Sequence, residues 1–175
     1  MPTFFKSLKF KFALAISLLV VLILLVDAII TVITKSREMK EDITVNAQSY
    51  AEMSVKPICE GYQVYYTSGF YKFREIMLDF LRMNRNVKKI QILDVSGAVC
   101  FDSEELETGR YLLSPSERKI SETGLLENIK KLVCTAGPYQ LNKYEKGWEI
   151  VVPYIEEWGR HRFSVRYLVL YDISS

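Results

Sequence analysis

The sequence is poor in the residues that most often carry chemistry. It has one histidine, His161, and three cysteines, Cys59, Cys100 and Cys134, none in a C-x-x-C spacing. A single imidazole excludes a His-rich metal site. A Cys–His nucleophile built from Cys100 or Cys134 with His161 lacks a third group or motif to support it. No G-x-x-x-x-G-K or G-x-G-x-x-G stretch occurs, so no phosphate-cradling loop is present. The acidic run Glu104, Glu105 and Glu107 lacks the ligand spacing of a calcium loop and reads as a solvated loop. Neither sign of charge dominates: 23 Lys+Arg against 21 Asp+Glu give a net charge of +2, which argues against a nucleic-acid partner. There is no internal repeat or low-complexity tract. The apolar share of 49% and aromatic share of 13% exclude a disordered chain. No enzyme, cofactor or metal is expected from these 175 residues.

What the sequence does have is one long apolar run. Residues 12–34 contain only Ser17, Asp27, Thr31 and Thr34 as non-apolar positions. As a helix they span roughly 35 Å, enough for a hydrocarbon core of about 30 Å with some tilt. A cleaved signal peptide is the alternative, since Lys6, Lys9 and Lys11 precede the run. Yet no A-x-A-like site follows, and the apolar pattern resumes after Asp27 through Ile33, as an uncleaved anchor requires. Lys35, Arg37 and Lys40 balance the upstream lysines, so the flanking charges do not fix the orientation. The expectation is a cytoplasmic segment 1–11, a transmembrane helix 12–34 and an extracytoplasmic domain 35–175 in the plasma or inner membrane. Asp27 is either a functional intramembrane carboxyl or one near enough to the interface to hydrate.

Beyond the span the periodicity stays helical. Ile43, Ala47, Tyr50, Ala51, Ser54 and Ile58 share a face, with no Gly or Pro between residue 35 and Pro57, where a kink is predicted. The first helix is placed at about 35–66. Its narrow stripe of small residues suits packing on its own domain or on a second copy. A second helix is predicted over 70–83 from Phe70, Phe73, Met77, Phe80 and Leu81. The period then drops to two: Lys88–Asp94 reads as a strand, Asp94-Val95-Ser96-Gly97 as a turn, and Ala98–Asp102 as its partner. Residues 103–113 read as loop. Ser114-Pro115-Ser116-Glu117 has the pattern of a helix start, and Leu125–Val133 that of a further helix. Tyr139–Tyr144, Gly147–Ile155 and His161–Asp172 complete the strands, the last two joined by a loop of hairpin length. The fold class is therefore α+β: a transmembrane helix continuing into a long helix, then an antiparallel sheet of about five strands, within about 88–172, flanked by helices.

The order of elements resembles the extracytoplasmic PAS-like sensor domains of the PDC/Cache group of bacterial receptors. The residues that carry the resemblance are Ile90-Gln91-Ile92-Leu93-Asp94-Val95-Ser96-Gly97-Ala98-Val99, Val152-Pro153-Tyr154, Trp158-Gly159 and Val165-Arg166-Tyr167. It implies signal transduction in histidine kinases, chemoreceptors or diguanylate cyclases. It also implies a ligand pocket between the sheet and a crossover at roughly residues 103–146. Arg110 and Tyr111 of the crossover and Trp148, Tyr154, Arg166 and Tyr167 of the closing strands are the candidate ligand-binding residues. Arginine there favours an anionic small molecule, a carboxylate or a phosphate. The bland alternative makes the aromatics core and puts Arg162 and Arg166 on a wet outer face.

Further partners implied are the lipid bilayer and a second copy, in a homodimer through the first helix. The chain is expected to be the amino-terminal part of a longer receptor whose cytoplasmic output module follows, or else a free-standing sensor with a separate partner. A pilin-like structural subunit is the alternative from another class, although the Gly-Phe-Thr-type start of that family is missing. The cysteines leave three arrangements open: Cys59 bridging a dimer, a Cys100–Cys134 pair, or three buried thiols.

Overall fold

A computed structural model describes residues 8–108, 127, 129, 138–144 and 147–171. The chain divides into two units, Met1–Asp42 and Ile43–Ser175. The first unit is helical throughout its described part, and every residue from 11 to 34 is exposed, including Phe12, Leu18, Leu22 and Ile33. No protein surface covers this apolar stretch among the described residues. It is long and apolar enough to cross a bilayer.

In the second unit the same helix, α1 (Leu8–Tyr65), becomes amphipathic. Ala47, Ala51, Ser54, Val55, Ile58 and Cys59 are buried, as the periodicity predicts. The helix does not end at Pro57. Proline deprives the Met53 carbonyl of its helical partner. Met53 is 79% exposed and Pro57 is also exposed, so water can take that bond. Helix α2 (Phe70–Met83) follows, with Phe73 and Met77 buried and Phe70, Phe80 and Leu81 packed against the same core. Gly61 of α1 lies against it: a Cβ there would stand 3.6 Å from Ile76 Cδ1.

The sheet is antiparallel and five-stranded: β1 (Val87–Asp94), β2 (Val99–Asp102), β3 (Gln140–Tyr144), β4 (Gly147–Ile155) and β5 (His161–Leu170). Their order is β2-β1-β5-β4-β3, so the last strand occupies the centre and β2 and β3 are the two edges. The β1–β2 turn is built by one carboxylate. Asp94 Oδ1 accepts from Ser96 N at 2.8 Å, Ser96 Oγ at 2.6 Å and Ala98 N at 2.9 Å. Gly97 takes the positive φ of 80° that the turn needs.

Both faces of the sheet are occupied. Ile90, Ile92, Phe101, Ile150, Val152, Val165, Tyr167 and Val169 face the α1–α2 layer in one core. Leu93, Val99 and Val151 form a second cluster on the other face with Ile129. The expected loop at 103–113 begins instead with a helical turn, α3 (Glu105–Thr108). The helices expected at 114–133 lie outside the described residues, apart from Glu127 and Ile129, both helical.

Candidate functional site

Cross-strand partners share a face of a sheet. Trp148 opposes Val169, Tyr154 opposes Phe163, and Tyr167 opposes Ile90 and Ile150. These three candidate residues therefore face α1, and Arg166 faces the opposite way, opposite Gln91 and Val151. Arg110 and Tyr111 lie outside the described residues. The four described candidates thus divide between two faces rather than converge.

Tyr167 has no exposed surface. Its phenol lies 2.8 Å from Ser54 Oγ and donates to the Ala51 carbonyl at 3.3 Å. Burial holds its pKa well above the ordinary tyrosine value. Tyr50 stands edge-on to it, with ring centroids 6.0 Å apart. This cluster fastens the central strand to α1. Ala47 and Ala51 supply the close approach, because larger side chains would hold the helix off the sheet.

Arg166 is not on a wet face. Its side chain is 14% exposed and ion-paired through Nε with Glu149, itself 12% exposed. Around that pair a polar ladder crosses all five strands. Asn142 Nδ2 of β3 donates to Glu149 Oε2 of β4 at 3.1 Å. Arg166 Nη1 of β5 donates to Gln91 Oε1 of β1 at 3.2 Å. Gln91 Nε2 donates to Asp102 Oδ2 of β2 at 2.7 Å. Lys89 ends the series between Asp102 and Glu104, 2.9 Å from each. Pattern reading missed Gln91, Glu149 and Lys89. The signal was partly available, since a Gln between Ile90 and Ile92 and a Glu between Trp148 and Ile150 each mark the polar face of a strand, and those two strands flank the one that carries Arg166. An anion at Arg166 would have to displace Glu149.

The remaining chemically suggestive groups have structural roles. Glu105 is buried, not solvated, and accepts from Asp102 N at 3.1 Å. His161 Nε2 lies 2.9 Å from Ser164 Oγ, but Ser164 has no exposed surface for a substrate to reach. Cys59 and Cys100 are free and buried. Cys59, with no exposed surface, is closed to pairing across a dimer, contrary to one of the three arrangements considered. Burial pushes the Cys100 thiol up to about 11, away from the thiolate a nucleophile needs. Cys134 lies outside the described residues.

One cavity, of about 330 Å³, opens where β4 ends beside α1. It takes in Tyr154 with Lys56, Glu60, Glu156, Glu157 and Trp158.

No family model and no curated protein matches the chain. Among solved structures, an extracellular ligand binding receptor from Desulfohalobium retbaense matches over 78% of this chain, at 16% identity and TM-score 0.49. The chain spans 24% of that receptor's length. A sensory box sensor histidine kinase from Vibrio cholerae matches over 60% of this chain and 97% of its own, at 12% identity and TM-score 0.32. Likeness at that level bears on neither ligand nor activity, which rest on the residues themselves.

Proposed function

We propose that this chain is a membrane-anchored extracytoplasmic sensor domain of the PDC/Cache type. Residues 12–34 hold it in the bilayer with residues 1–11 in the cytoplasm. Residues 35–175 receive a small-molecule signal outside and pass it through the first helix to a cytoplasmic output module. A second copy, paired through that helix, is its partner. One observation carries the reading: the helix with the apolar span also supplies the layer to which the central strand is fastened, through Tyr167, Ser54 and Ala51. A ligand that favours one packing of the sheet over another thereby biases α1, and differential affinity is the only means by which it can do so.

The test is a thermal-shift screen of the full chain in detergent against small carboxylates, phosphates and amines, followed by hydrogen exchange on any hit. A ligand at about 100 times its Kd adds about 2.7 kcal/mol, a rise of roughly 5 °C or more. Support requires such a rise together with altered exchange at residues 47–58. A screen without hits, combined with filaments cross-linked through this chain in cells, would replace the sensor by the structural-subunit reading.

A further inference from the structure

The cavity at the β4–β5 hairpin has an unusual lining. Three carboxylates, Glu60, Glu156 and Glu157, stand against one ammonium, Lys56, whose Nζ is 3.8 Å from Glu60 Oε1. Arg162 engages Glu156 from outside the lining at 2.9 Å, which leaves Glu60 and Glu157 against Lys56 and the cavity net negative. Two aromatic rings complete it. Tyr154 packs against the main core, and Trp158 is 95% exposed. Trp158 is not on a loose loop. Glu156 N donates to Arg160 O at 3.0 Å, Gly159 N donates to Glu156 O at 2.8 Å, and Gly159 takes a φ of 75°. A tight turn therefore presents a bare indole beside carboxylates.

We infer that this cavity binds a small organic cation of the alkylammonium class, between the aromatic faces of Trp158 and Tyr154 and the carboxylates of Glu60 and Glu157. A cation over an indole face is attracted by the ring quadrupole, and the neighbouring carboxylates add charge attraction. An anion is opposed by the same carboxylates. A hard divalent ion would leave the indole unused, since it takes oxygen ligands, and no group of side chains that could hold a metal occurs among the described residues. The volume is at the low end for small-ligand sites and too small for a folded partner. The inference stands whether or not the chain signals, so its failure and that of the sensor reading are separable.

The test is titration of the full chain, in a non-ionic detergent at constant ionic strength, with choline as the probe. Tryptophan emission and Tm are followed, and sodium acetate and calcium chloride serve as comparison titrants. Saturable binding of choline, absent with acetate, is expected. Trp158→Ala should weaken it at least tenfold without moving the Tm of the ligand-free protein, because that side chain is in water. Glu60→Gln with Glu157→Gln should weaken it similarly. The inference is overturned if choline gives no saturable response, if acetate binds equally well, if calcium competes with an affinity that Trp158→Ala leaves intact, or if either variant binds choline like the parent.

Discussion

The phenol of Tyr167 and the hydroxyl of Ser54 meet at 2.8 Å, and both side chains are buried between β5 and α1. Ser54 can donate to Tyr167, which in turn donates to the Ala51 carbonyl at 3.3 Å. Tyr167→Phe removes the middle of this relay and leaves Ser54 with its 3.4 Å approach to the Ala51 carbonyl and its interaction with the Tyr50 phenol. The expected cost is about 1–2 kcal/mol. Ser54→Ala should cost less, because the Tyr167–Ala51 bond survives. The double variant should cost less than the sum, and Tm values of the four proteins in detergent measure that coupling.

Two glycines make opposite predictions under the same substitution. A Cβ on Gly147 would lie 1.8 Å from the Val169 carbonyl oxygen, a backbone atom of the neighbouring strand that cannot step aside. Gly147→Ala should therefore cost about 3 kcal/mol or more by forcing β4 from β5. At Gly61 the added methyl meets Ile76 Cδ1 at 3.6 Å, an ordinary contact, and removes the conformational freedom that glycine brings to a helix. Gly61→Ala should gain about 0.5–1 kcal/mol. Thermal unfolding of the two variants beside the parent decides both signs.

The Arg166–Glu149 pair is largely sequestered, so removing one partner strands the other. Arg166→Ala should cost about 3–5 kcal/mol, and replacing both partners, Arg166→Met with Glu149→Leu, should recover most of that loss. Equal destabilisation of the single and double variants would show that the packing of the arginine stem matters more than its charge.

Bounds were legible for α2, whose one face is buried and the other wet, and for β4, whose apolar run stops at a hairpin loop. Phe70–Met83 and Gly147–Ile155 match the periodic pattern residue for residue. Which face of the sheet takes which partner was not legible. Alternation puts the sequence neighbours Arg166 and Tyr167 on opposite faces, but which face meets α1 is set by the packing of that helix on the sheet. The divided placement of Trp148, Tyr154 and Tyr167 against Arg166 follows from that alternation and the register of β4 on β5. The cavity beside Trp158 depends on α1 lying alongside the hairpin, a tertiary relation between residues about 100 positions apart that local periodicity does not encode.

Alkaline pH should act on this core through groups that must stay neutral. Burial raises the phenols of Tyr50, Tyr62 and Tyr167 and the thiol of Cys59, and pushes the Cys100 thiol up to about 11. In the unfolded chain thiols ionise near about 8.5 and phenols near about 10. A raised pKa in the folded state means that the unfolded chain loses protons first. The stabilisation is thus complete below the unfolded values and is lost as pH rises past them. Tm should be flat near neutrality, fall from about pH 8.5 upward, and fall more steeply above about pH 10. Tyr167→Phe removes one titrating phenol, so its Tm should fall less steeply above pH 10 than that of the parent, although it starts lower. In a Cys134→Ser background, Cys59 and Cys100 should resist a maleimide until the protein unfolds, because the reagent needs an exposed thiolate and the fold denies both. Rapid labelling of either thiol in the folded protein at pH 7 would contradict the burial on which the whole alkaline profile depends.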